Sequence, residues 1–373
     1  MAVKERSWVR KSIRFVFVTL SVLLVLVYLL AVVGIFVAPS KLWWLAPLTL
    51  AFPYLALALV FSFFFWLVVK PRLIWLPLIT LVAGYVPLSR TLAWKRPWRD
   101  EVATKANDFA IATWNIQSFN GMSKNKQLRR LARTDIARQL IETKADVLCL
   151  QEFNHNPDTV NGTNNKVLFG QDYPHSYFSR EFTRSGSQYA SGSVIFSKWP
   201  IKGQGKIDFP GRDAESLLYA DVQAPDGRLI RVFTTHLQSF RFSERDHLQL
   251  NQMEVEQKDR EGIVRKLRRA YERRATQAAI VRKAMEASPY TAVITGDFND
   301  VPSSYAYHLI KGDWQDAFLA KSWGLGRTYL ELSPTLRIDY ILPSPRFEVL
   351  GFDDVDEGLS DHVMLVARLR LAR

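Results

Sequence analysis

Three long stretches near the N-terminus of this chain contain no charged side chain. They cover residues 15–40, 42–69 and 73–89 and are 26, 28 and 17 residues long. A helix needs roughly 20 apolar residues to cross the hydrocarbon core of a bilayer, and about 17 is the lower limit. The first two stretches are therefore long enough to span a membrane. A signal peptide has a shorter apolar region without a second one behind it, so we expect a retained anchor.

The third stretch allows two interpretations, because it is short and contains Pro77 and Pro87. It forms either a third span or a re-entrant or interfacial segment beside two spans. With three spans, the N-terminal tail and the turn at Lys70 and Arg72 share one side of the membrane and carry seven basic residues. The opposite side carries five. The positive-inside rule then places the N-terminus in the cytoplasm and the C-terminal part of the chain outside it.

Most of the net charge of +13 belongs to this apolar part. Residues 1–99 contain twelve Lys and Arg but one acid, Glu5. The excess charge therefore reports on membrane topology and gives little support to nucleic-acid binding by the rest of the chain. The single cysteine, Cys149, excludes an intramolecular disulfide and a thiolate zinc site.

From Phe109 onward, short β-type runs alternate with helical stretches, and helices are predicted over 128–143 and 262–287. The pattern predicts a membrane anchor of about three transmembrane helices over residues 1–99, a linker over 100–107 and one α/β domain over 108–373. The predicted strands are FAIATWNI, ADVLCLQEF, SGSVIFSKWPI, LLYADVQA, LIRVFTTHLQS, TAVITGDFN, RIDYILPS and HVMLVARLRL.

Two further features have both a structural and a functional interpretation. Residues 258–283 are rich in Lys and Arg. This stretch is either a solvated helix face or a surface that contacts anionic lipid head groups or a nucleic-acid backbone. Four aromatic residues either line a substrate rim or pack in the core: Trp199, Trp314, Trp323 and Tyr329.

Polar side chains recur at the ends of the predicted strands, where an α/β scaffold presents its chemistry to solvent. Each of them alone is explained by a turn or a cap. Together they form a set of acids, amides and histidines that a core would not tolerate without partners. The set consists of Asn115, Glu152, His236, Asp297, Asn299, Asp339, Asp361 and His362.

This set fits the metal-assisted hydrolysis of a phosphate ester. Glu152 and Asp361 supply the carboxylates that Mg²⁺ prefers, with no thiolate or histidine cage. The reaction also needs positive charge on the phosphate oxygens, an oriented water and a proton acceptor. We assign the first task to His236 and Asn115 and the second to Asp297 and Asn299. His362, held in one tautomer by Asp339, serves as the acid or base.

The order of the motifs TWNIQ, LQEF, TTHLQS, GDFND, RIDYIL and SDH between Phe109 and Leu371 resembles the endonuclease/exonuclease/phosphatase superfamily, which is deoxyribonuclease I-like. The resemblance implies a four-layer α/β/β/α sandwich of two mixed sheets, here preceded by transmembrane α-helices. The implied site residues fall into two groups. The metal group is Asn115, Glu152 and Asp361. The catalytic group is His236, Asp297, Asn299, Asp339 and His362.

One position departs from several nucleases of that superfamily. They have an acid two residues after the first Asn, where this chain has Gln117. The departure disfavours a second metal and an abasic-site enzyme. The order of the chain, with apolar segments followed by this domain, is similar to that of membrane-anchored bacterial members of the superfamily.

The sequence therefore predicts a membrane-anchored hydrolase of phosphate esters that depends on Mg²⁺ or Mn²⁺. The favoured substrate is the phosphodiester of a phospholipid or sphingolipid head group. The alternatives are a membrane-tethered nuclease acting on nucleic acid and a tethered binding module with a dead site. The lipid bilayer is the expected partner, and no obligate protein partner is inferred. The expected location is the inner (cytoplasmic) membrane, multi-pass, with the catalytic domain outside the cytoplasm.

Overall fold

A computed structural model describes residues 2–95, 108–120, 126–157, 164–211, 215–240, 257–331 and 333–371. The linker predicted over 100–107 lies outside the described residues. The chain divides into two compact units. The first contains the residues up to Thr91 together with Pro302–His308, and the second contains Leu92–Val301 together with the residues from Leu309 onward.

The first unit is helical. Two of its helices are long and apolar enough to cross a membrane, over Ser12–Gly34 and Phe52–Val69. The last two helices meet at an angle of 65°, so the unit has two candidate spans, or three if this bent pair counts as one. The helices are α1 (Ala2–Gly34), α2 (Pro39–Leu42), α3 (Ala46–Leu50), α4 (Phe52–Val69), α5 (Trp75–Ala83) and α6 (Tyr85–Thr91).

The bend in the third apolar stretch has a local cause. Gly84 separates α5 from α6. Pro87 lies in the first turn of α6, where its missing N–H group breaks no helical hydrogen bond. The third stretch is therefore a broken helix and not a straight one.

The long helices of the first unit pack against each other along one side only. Tyr28 of α1 packs with Phe52 and Leu59 of α4, and all three side chains are fully buried. The indole N–H of Trp66 donates a hydrogen bond of 2.9 Å to the hydroxyl of Ser21. The opposite sides of the helices carry large apolar side chains that are exposed, such as Phe15 at 73%. Such continuous apolar faces need an apolar environment.

The second unit contains two main sheets. The strands are β1 (Ala93–Trp94), β2 (Asp108–Asn115), β3 (Val147–His155), β4 (His175–Phe178), β5 (Phe182–Thr183), β6 (Ala190–Ser197), β7 (Ile201–Asp208), β8 (Ser216–Gln223), β9 (Leu229–His236), β10 (Thr291–Asp297), β11 (Trp323–Gly324), β12 (Asp339–Pro343), β13 (Phe347–Val355) and β14 (Met364–Leu371). The short strands β1 and β11 pair with each other.

One sheet has seven strands in the order β13-β14-β2-β3-β6-β4, with β5 also paired to β6, and the other has five in the order β12-β10-β9-β8-β7. The pairs β2·β3 and β9·β10 are parallel, and the other pairs are antiparallel. Both sheets are therefore mixed, as the sequence predicts.

The two sheets pack face to face around one apolar core. Ile111 and Cys149 from the seven-stranded sheet contribute to this core together with Leu218, Val232 and Ile341 from the five-stranded sheet. The described helices of this unit include α7 (Lys126–Glu142), α8 (Gln257–Glu286) and α10 (Ala317–Lys321), and α9 (Tyr305–Lys311) has residues assigned to both units.

Helices complete the sandwich on its outer sides. The side chains of Ile136 and Leu140 in α7 belong to a second core cluster on the outer face of the seven-stranded sheet. Helix α8 contacts the five-stranded sheet, where the side chain of Gln277 binds Glu215 and the backbone N–H of Gln238. The prediction of an α/β sandwich of two mixed sheets is confirmed.

Candidate active site

The register of the five-stranded sheet places three predicted site residues in one row. Asp297 at the end of β10 pairs with His236 on the parallel strand β9 and with Asp339 on the antiparallel strand β12. Side chains of directly paired residues project to the same face of a sheet. The Nε2 atom of His236 accordingly lies 3.5 Å from Oδ2 of Asp297. The row is a consequence of strand pairing alone.

Gly296, in the GDFND motif, allows this close pairing. Its φ is +130°, and a Cβ atom built on it would lie 2.0 Å from the carbonyl oxygen of Thr235 in β9. A side chain at this position would push β9 and β10 apart. The glycine therefore keeps Asp297 beside His236.

The seven-stranded sheet contributes Asn115, the last residue of β2, and Glu152, which lies within the parallel strand β3 and not at its end, where the apolar run predicts it. The side-chain amide of Asn115 donates to Oε1 of Glu152 at 3.3 Å and to Oδ2 of Asp297 at 3.1 Å. It thus links the two sheets at the site. Glu152 has a φ of +54° and lies where the register of β3 shifts between Leu150 and Phe153. Such a bulge redirects a side chain and is common next to active sites.

His362 and Asp361 immediately precede β14, and both sheets fix the position of His362. The indole N–H of Trp114 donates to the carbonyl oxygen of His362 at 2.7 Å. The Nδ1 atom of His362 lies 2.9 Å from Oδ2 of Asp339, and its Nε2 atom lies 3.8 Å from Oδ2 of Asp297. Because Asp339 binds Nδ1, the Nε2 edge of the ring faces the centre of the cluster.

Asn299 forms hydrogen bonds with the last residue of β10 and with the residue that follows β9. Its backbone N–H donates to Oδ1 of Asp297 at 2.8 Å, and its side-chain amide donates to the carbonyl oxygen of Leu237 at 2.9 Å. Its φ of +50° is unusual for a residue other than glycine. The backbone after β10 is therefore bent tightly around Asp297.

The charges of the site favour protonated histidines. Burial alone lowers the pKa of His362, but the carboxylates of Asp339 and Asp297 outweigh it and raise that pKa above its ordinary value. Burial also lowers the pKa of His236, and the charges of Asp297 and Glu152 raise it by more. The ring of His362 therefore carries positive charge near neutral pH, and the ring of His236 favours its charged form more than an ordinary imidazole does. Two rings that favour positive charge beside a buried acid suit the binding of a negatively charged phosphate.

The acids of the site include two sets that could hold a divalent cation. Asp361 has a raised pKa because of burial, and the charge of Glu152 adds to the effect. Two carboxylates that oppose each other in this way are stabilised by a shared cation, and their oxygens are the ligands that Mg²⁺ prefers. Glu152 and Asp361 thus fit the predicted metal.

A second set offers ligand atoms within 4.8 Å of one another, from Asp297, Asp339 and His362. In that set His362 already uses Nδ1 to bind Asp339, so the contact is explained by a hydrogen-bonded pair. Asn115 has an orienting contact as well, because its Oδ1 atom accepts the backbone N–H of Gln117 at 3.1 Å. The roles of Asn115, Glu152 and Asp361 as metal ligands stay predictions.

The structure thus places the eight predicted residues at the same end of the two sheets. The catalytic roles assigned to His236, Asp297, Asn299, Asp339 and His362 also stay predictions. The aromatic candidates separate into different environments. Tyr329 lies with its ring 5.0 Å from the ring of His362, whereas Trp199 packs on Phe109 in the core. Trp314 is 8% exposed and Trp323 is 64% exposed.

One acid near the site has no counterpart among the predicted residues. Glu181, in the turn between β4 and β5, accepts a hydrogen bond of 2.5 Å from the hydroxyl of Ser216. Burial raises the pKa of Glu181 to about 7, and the charge of His236 partly opposes this shift. No local motif marks Glu181, because it comes close to Ser216 and His236 only where the two sheets pack against each other.

Arg274 in the basic helix α8 is not part of a solvated face. Its side chain is fully buried, its Nε lies 3.2 Å from Oδ2 of Asp300, and its Nη1 donates to the carbonyl oxygen of Gln238 at 3.0 Å. Asp300 ends the GDFND motif. Arg274 therefore braces the loops that follow β9 and β10. A sequence signal existed, since Arg274 is four residues from both Ala270 and Ala278 on the apolar stripe.

Comparison with known proteins identifies the family. A family model described as the Endonuclease/Exonuclease/phosphatase family matches residues 112–362, a range that includes all eight predicted site residues. The chain belongs to the endonuclease/exonuclease/phosphatase family. Members of this family are phosphoester hydrolases that use divalent metals. Residues 14–91 match a second model, described as a domain of unknown function (DUF8431). No curated protein sequence matches the chain.

Solved structures similar to this chain include bacterial and human proteins. The catalytic domain of human Nocturnin with a bound sulfate anion has a TM-score of 0.51 and 16% identity, covering 73% of this chain and 96% of that one. An endonuclease/exonuclease/phosphatase from Beutenbergia cavernae has a TM-score of 0.49 and 21% identity, covering 71% and 72%. A protein of this family from Bacteroides thetaiotaomicron has a TM-score of 0.49 and 18% identity, covering 71% of this chain and 98% of that one. At 16% identity, the similarity to Nocturnin concerns the fold alone.

Proposed function

We propose that this chain is a membrane-anchored hydrolase that cleaves a phosphodiester with the help of bound Mg²⁺. The observation that carries the proposal is the position of Asp297. Its carboxylate lies within 3.1 Å of the Asn115 amide, 3.5 Å of the His236 ring and 3.8 Å of the His362 ring. A buried acid beside an amide and two imidazole rings that favour positive charge suits a phosphate centre with an attacking water.

The proposed reaction uses these residues as follows. Asp297 orients the water and accepts its proton as the water attacks phosphorus. The protonated ring of His236 donates to a non-bridging oxygen and stabilises the charge that develops there. The Nε2–H of His362, held in place by Asp339, donates to the same group or to the leaving oxygen. Bound Mg²⁺ supplies Lewis-acid charge, with Glu152 and Asp361 as its carboxylate ligands.

The proposed substrate is the phosphodiester of a phospholipid or sphingolipid head group. Two helices of sufficient length and apolarity near the N-terminus support attachment to a bilayer. The near balance of charge outside residues 1–99 supports a lipid over a nucleic-acid backbone, because generic DNA affinity comes from an excess of Lys and Arg. The proposed location is the inner membrane with the catalytic domain outside the cytoplasm.

The substrate class is tested with the full-length protein in detergent. Mixed micelles of phosphatidylcholine, phosphatidylglycerol and sphingomyelin are incubated with it and Mg²⁺ in parallel with supercoiled plasmid, at low and moderate salt. We expect release of a phosphorylated head group and little nicking of the plasmid. Nicking of the plasmid without lipid hydrolysis, lost steeply as salt is added, would show a tethered nuclease instead.

A further inference from the structure

A group of basic side chains surrounds Phe178 at the end of β4. The Nζ atom of Lys166 lies 5.7 Å from the centre of the Phe178 ring. The ring of His155 stands perpendicular to it, with the two centres 6.4 Å apart. Arg180 follows two residues later, with an exposed side chain and a φ of +48°. We call these three residues, His155, Lys166 and Arg180, the basic cluster.

The members of the basic cluster are close enough to repel one another. Burial lowers the pKa of His155, and the charges of Lys166 and Arg180 lower it further. Burial and the charge of Arg180 likewise lower the pKa of Lys166. Among the residues that the structure describes, no acid forms an ion pair with Lys166 or Arg180. Among the described residues, the repulsion between these basic groups is therefore not offset by an ion pair with an acid.

A buried polar atom in the basic cluster also lacks a partner. His155 is 7% exposed, and its Nδ1 atom has no hydrogen bond within the described part of the chain. An unsatisfied buried nitrogen costs free energy. A histidine in this state, beside two cations that form no ion pair with a described acid, fits a site that binds an anion, because protonation and anion binding would satisfy it together.

We propose that His155, Lys166 and Arg180 form a second anion-binding site, which takes a phosphate group of the substrate other than the one that is cleaved. The location supports this. His155 is three residues beyond Glu152 on β3, which is at most about 10 Å along an extended strand. One substrate molecule can therefore reach both sites. This inference rests on the proposed function and adds that the preferred substrate carries two phosphates.

The first test is binding and does not depend on catalysis. Full-length protein in detergent, with metal removed by a chelator, is titrated with inorganic phosphate by calorimetry. The double variant Lys166→Ala with Arg180→Ala is expected to bind one phosphate fewer per chain than the control Lys202→Ala. Lys202 is exposed on β7, at the end of the five-stranded sheet opposite to His236. Equal stoichiometry in the two variants would overturn the second site.

The second test is kinetic and uses matched pairs of substrates. One pair is a nucleoside 5′-(p-nitrophenyl phosphate) with and without a 3′-phosphate. The other is phosphatidylglycerol with and without a terminal phosphate. For the pair that the protein hydrolyses, we expect the doubly phosphorylated member to be preferred, and we expect the double variant to lower that preference in kcat/KM about tenfold, mainly through KM. If the nucleoside pair shows this loss of preference, the second phosphate belongs to a nucleotide. If the phosphatidylglycerol pair shows it, the second phosphate belongs to a lipid head group.

An unchanged preference in the double variant, with Lys202→Ala as the reference, would contradict the assignment. Hydrolysis of neither pair by the unmodified protein would contradict the proposed function alone, because the phosphate titration would still decide the second site. The two failures are therefore distinguishable.

Discussion

His362 depends on Asp339 for both its orientation and its charge. The 2.9 Å contact between Nδ1 and Oδ2 fixes the tautomer, and the Asp339 carboxylate is the main group that raises the pKa of His362 against the effect of burial. A histidine with a raised pKa keeps its proton as the pH rises through neutrality. In the proposed reaction this proton is the one that His362 donates.

Replacing Asp339 by Asn should therefore weaken catalysis through His362. We expect kcat to fall by about 10²–10⁴-fold, the usual contribution of a positioned acid or base. We also expect the remaining activity to decline at a lower pH than in the unmodified protein, because the pKa of His362 falls. Rate–pH profiles measure both effects. Asp226→Asn, in the exposed turn between β8 and β9, is the matched control. An identical profile for Asp339→Asn would show that Asp339 does not act through His362.

Glu181 should make stability depend on pH. Burial raises its pKa from an ordinary 4.5 to about 7. A carboxyl with a raised pKa in the folded state contributes stability that is fully present below about pH 4.5 and is lost as the pH rises through 7. The variant Glu181→Gln keeps an oxygen for the Ser216 hydroxyl and has no proton to lose. It should match the unmodified protein near pH 4.5 and exceed it by between about 1 and 3 kcal/mol at pH 8.

Chemical unfolding of the detergent-solubilised protein at the two pH values measures this difference. Glu142→Gln is the control, because the Glu142 side chain is 66% exposed in α7. A constant difference between Glu181→Gln and the unmodified protein across the pH range would mean that the pKa of Glu181 is the same in the folded and unfolded states.

At the scale of elements, strand pairing delivers the site. Because β9, β10 and β12 are in register at His236, Asp297 and Asp339, a disturbance of this register would affect all three residues at once. The tightest point is Gly296, where a side chain would collide with the backbone of β9 at Thr235.

Gly296→Ala should destabilise the fold by roughly 2–4 kcal/mol, because the variant combines a strained φ with a backbone clash. Gly262→Ala should act in the opposite direction. Gly262 lies within α8, and a Cβ atom there would meet nothing within 4 Å. Alanine stabilises a helix interior by about 0.5–1 kcal/mol relative to glycine. Denaturant midpoints compare the two variants, and a smaller loss for Gly296→Ala than for an average core substitution would refute the close-pairing argument.

The sequence predicts the central strands better than the edge strands. The runs that form β2, β3, β9 and β10 are rich in apolar residues because both of their faces are covered. β4 and β13 are edge strands of the seven-stranded sheet and were not predicted. Much of β13 is only partly buried, and it includes acids such as Asp353 and Asp354, so its sequence resembles a loop.

The site was largely predictable because its residues follow strand ends, and strand ends can be located from apolar runs. Glu181 was not, since it approaches Ser216 and His236 only where the two sheets pack together, and no local sequence pattern records that packing. Arg274 was misjudged for a different reason. Its many basic neighbours suggest a solvated face, whereas the helical period places it on the apolar stripe beside Ala270 and Ala278. In such a helix, the helical period of the apolar residues predicts which side chains are buried better than the local charge does.

For the whole molecule, the proposed topology follows from the distribution of charge around the apolar helices. The bent pair α5 and α6 decides the side of the catalytic domain, because a third crossing places that domain opposite the N-terminus. The basic tail and the turn at Lys70 and Arg72 favour the cytoplasm for the N-terminal side. A segment distant in sequence belongs to the helical unit as well, and there the Ser303 hydroxyl donates to the carbonyl oxygen of Thr49 at 2.7 Å.

Protease added to spheroplasts should therefore digest the catalytic domain and leave an N-terminal tag intact. The expected fragment retains the helices up to Thr91. Alkaline carbonate should fail to extract the uncut protein, as for chains with spanning helices. Protection of the catalytic domain together with digestion of the N-terminal tag would require an inverted topology, and protection of both would indicate two spans.

The central claim is that the residues around Asp297 hydrolyse phosphodiesters with a divalent cation. The most direct measurement is the Mg²⁺-dependent hydrolysis of bis(p-nitrophenyl) phosphate by the full-length protein, His362→Asn and His175→Asn. His175 starts β4 at the end of the seven-stranded sheet opposite to Asn115, so its variant controls for the loss of an imidazole. We expect a chelator to abolish the activity, His362→Asn to lower kcat/KM about 10²–10⁴-fold, and His175→Asn to retain it. Full activity of a folded His362→Asn variant, or full activity in the presence of chelator, would contradict the claim.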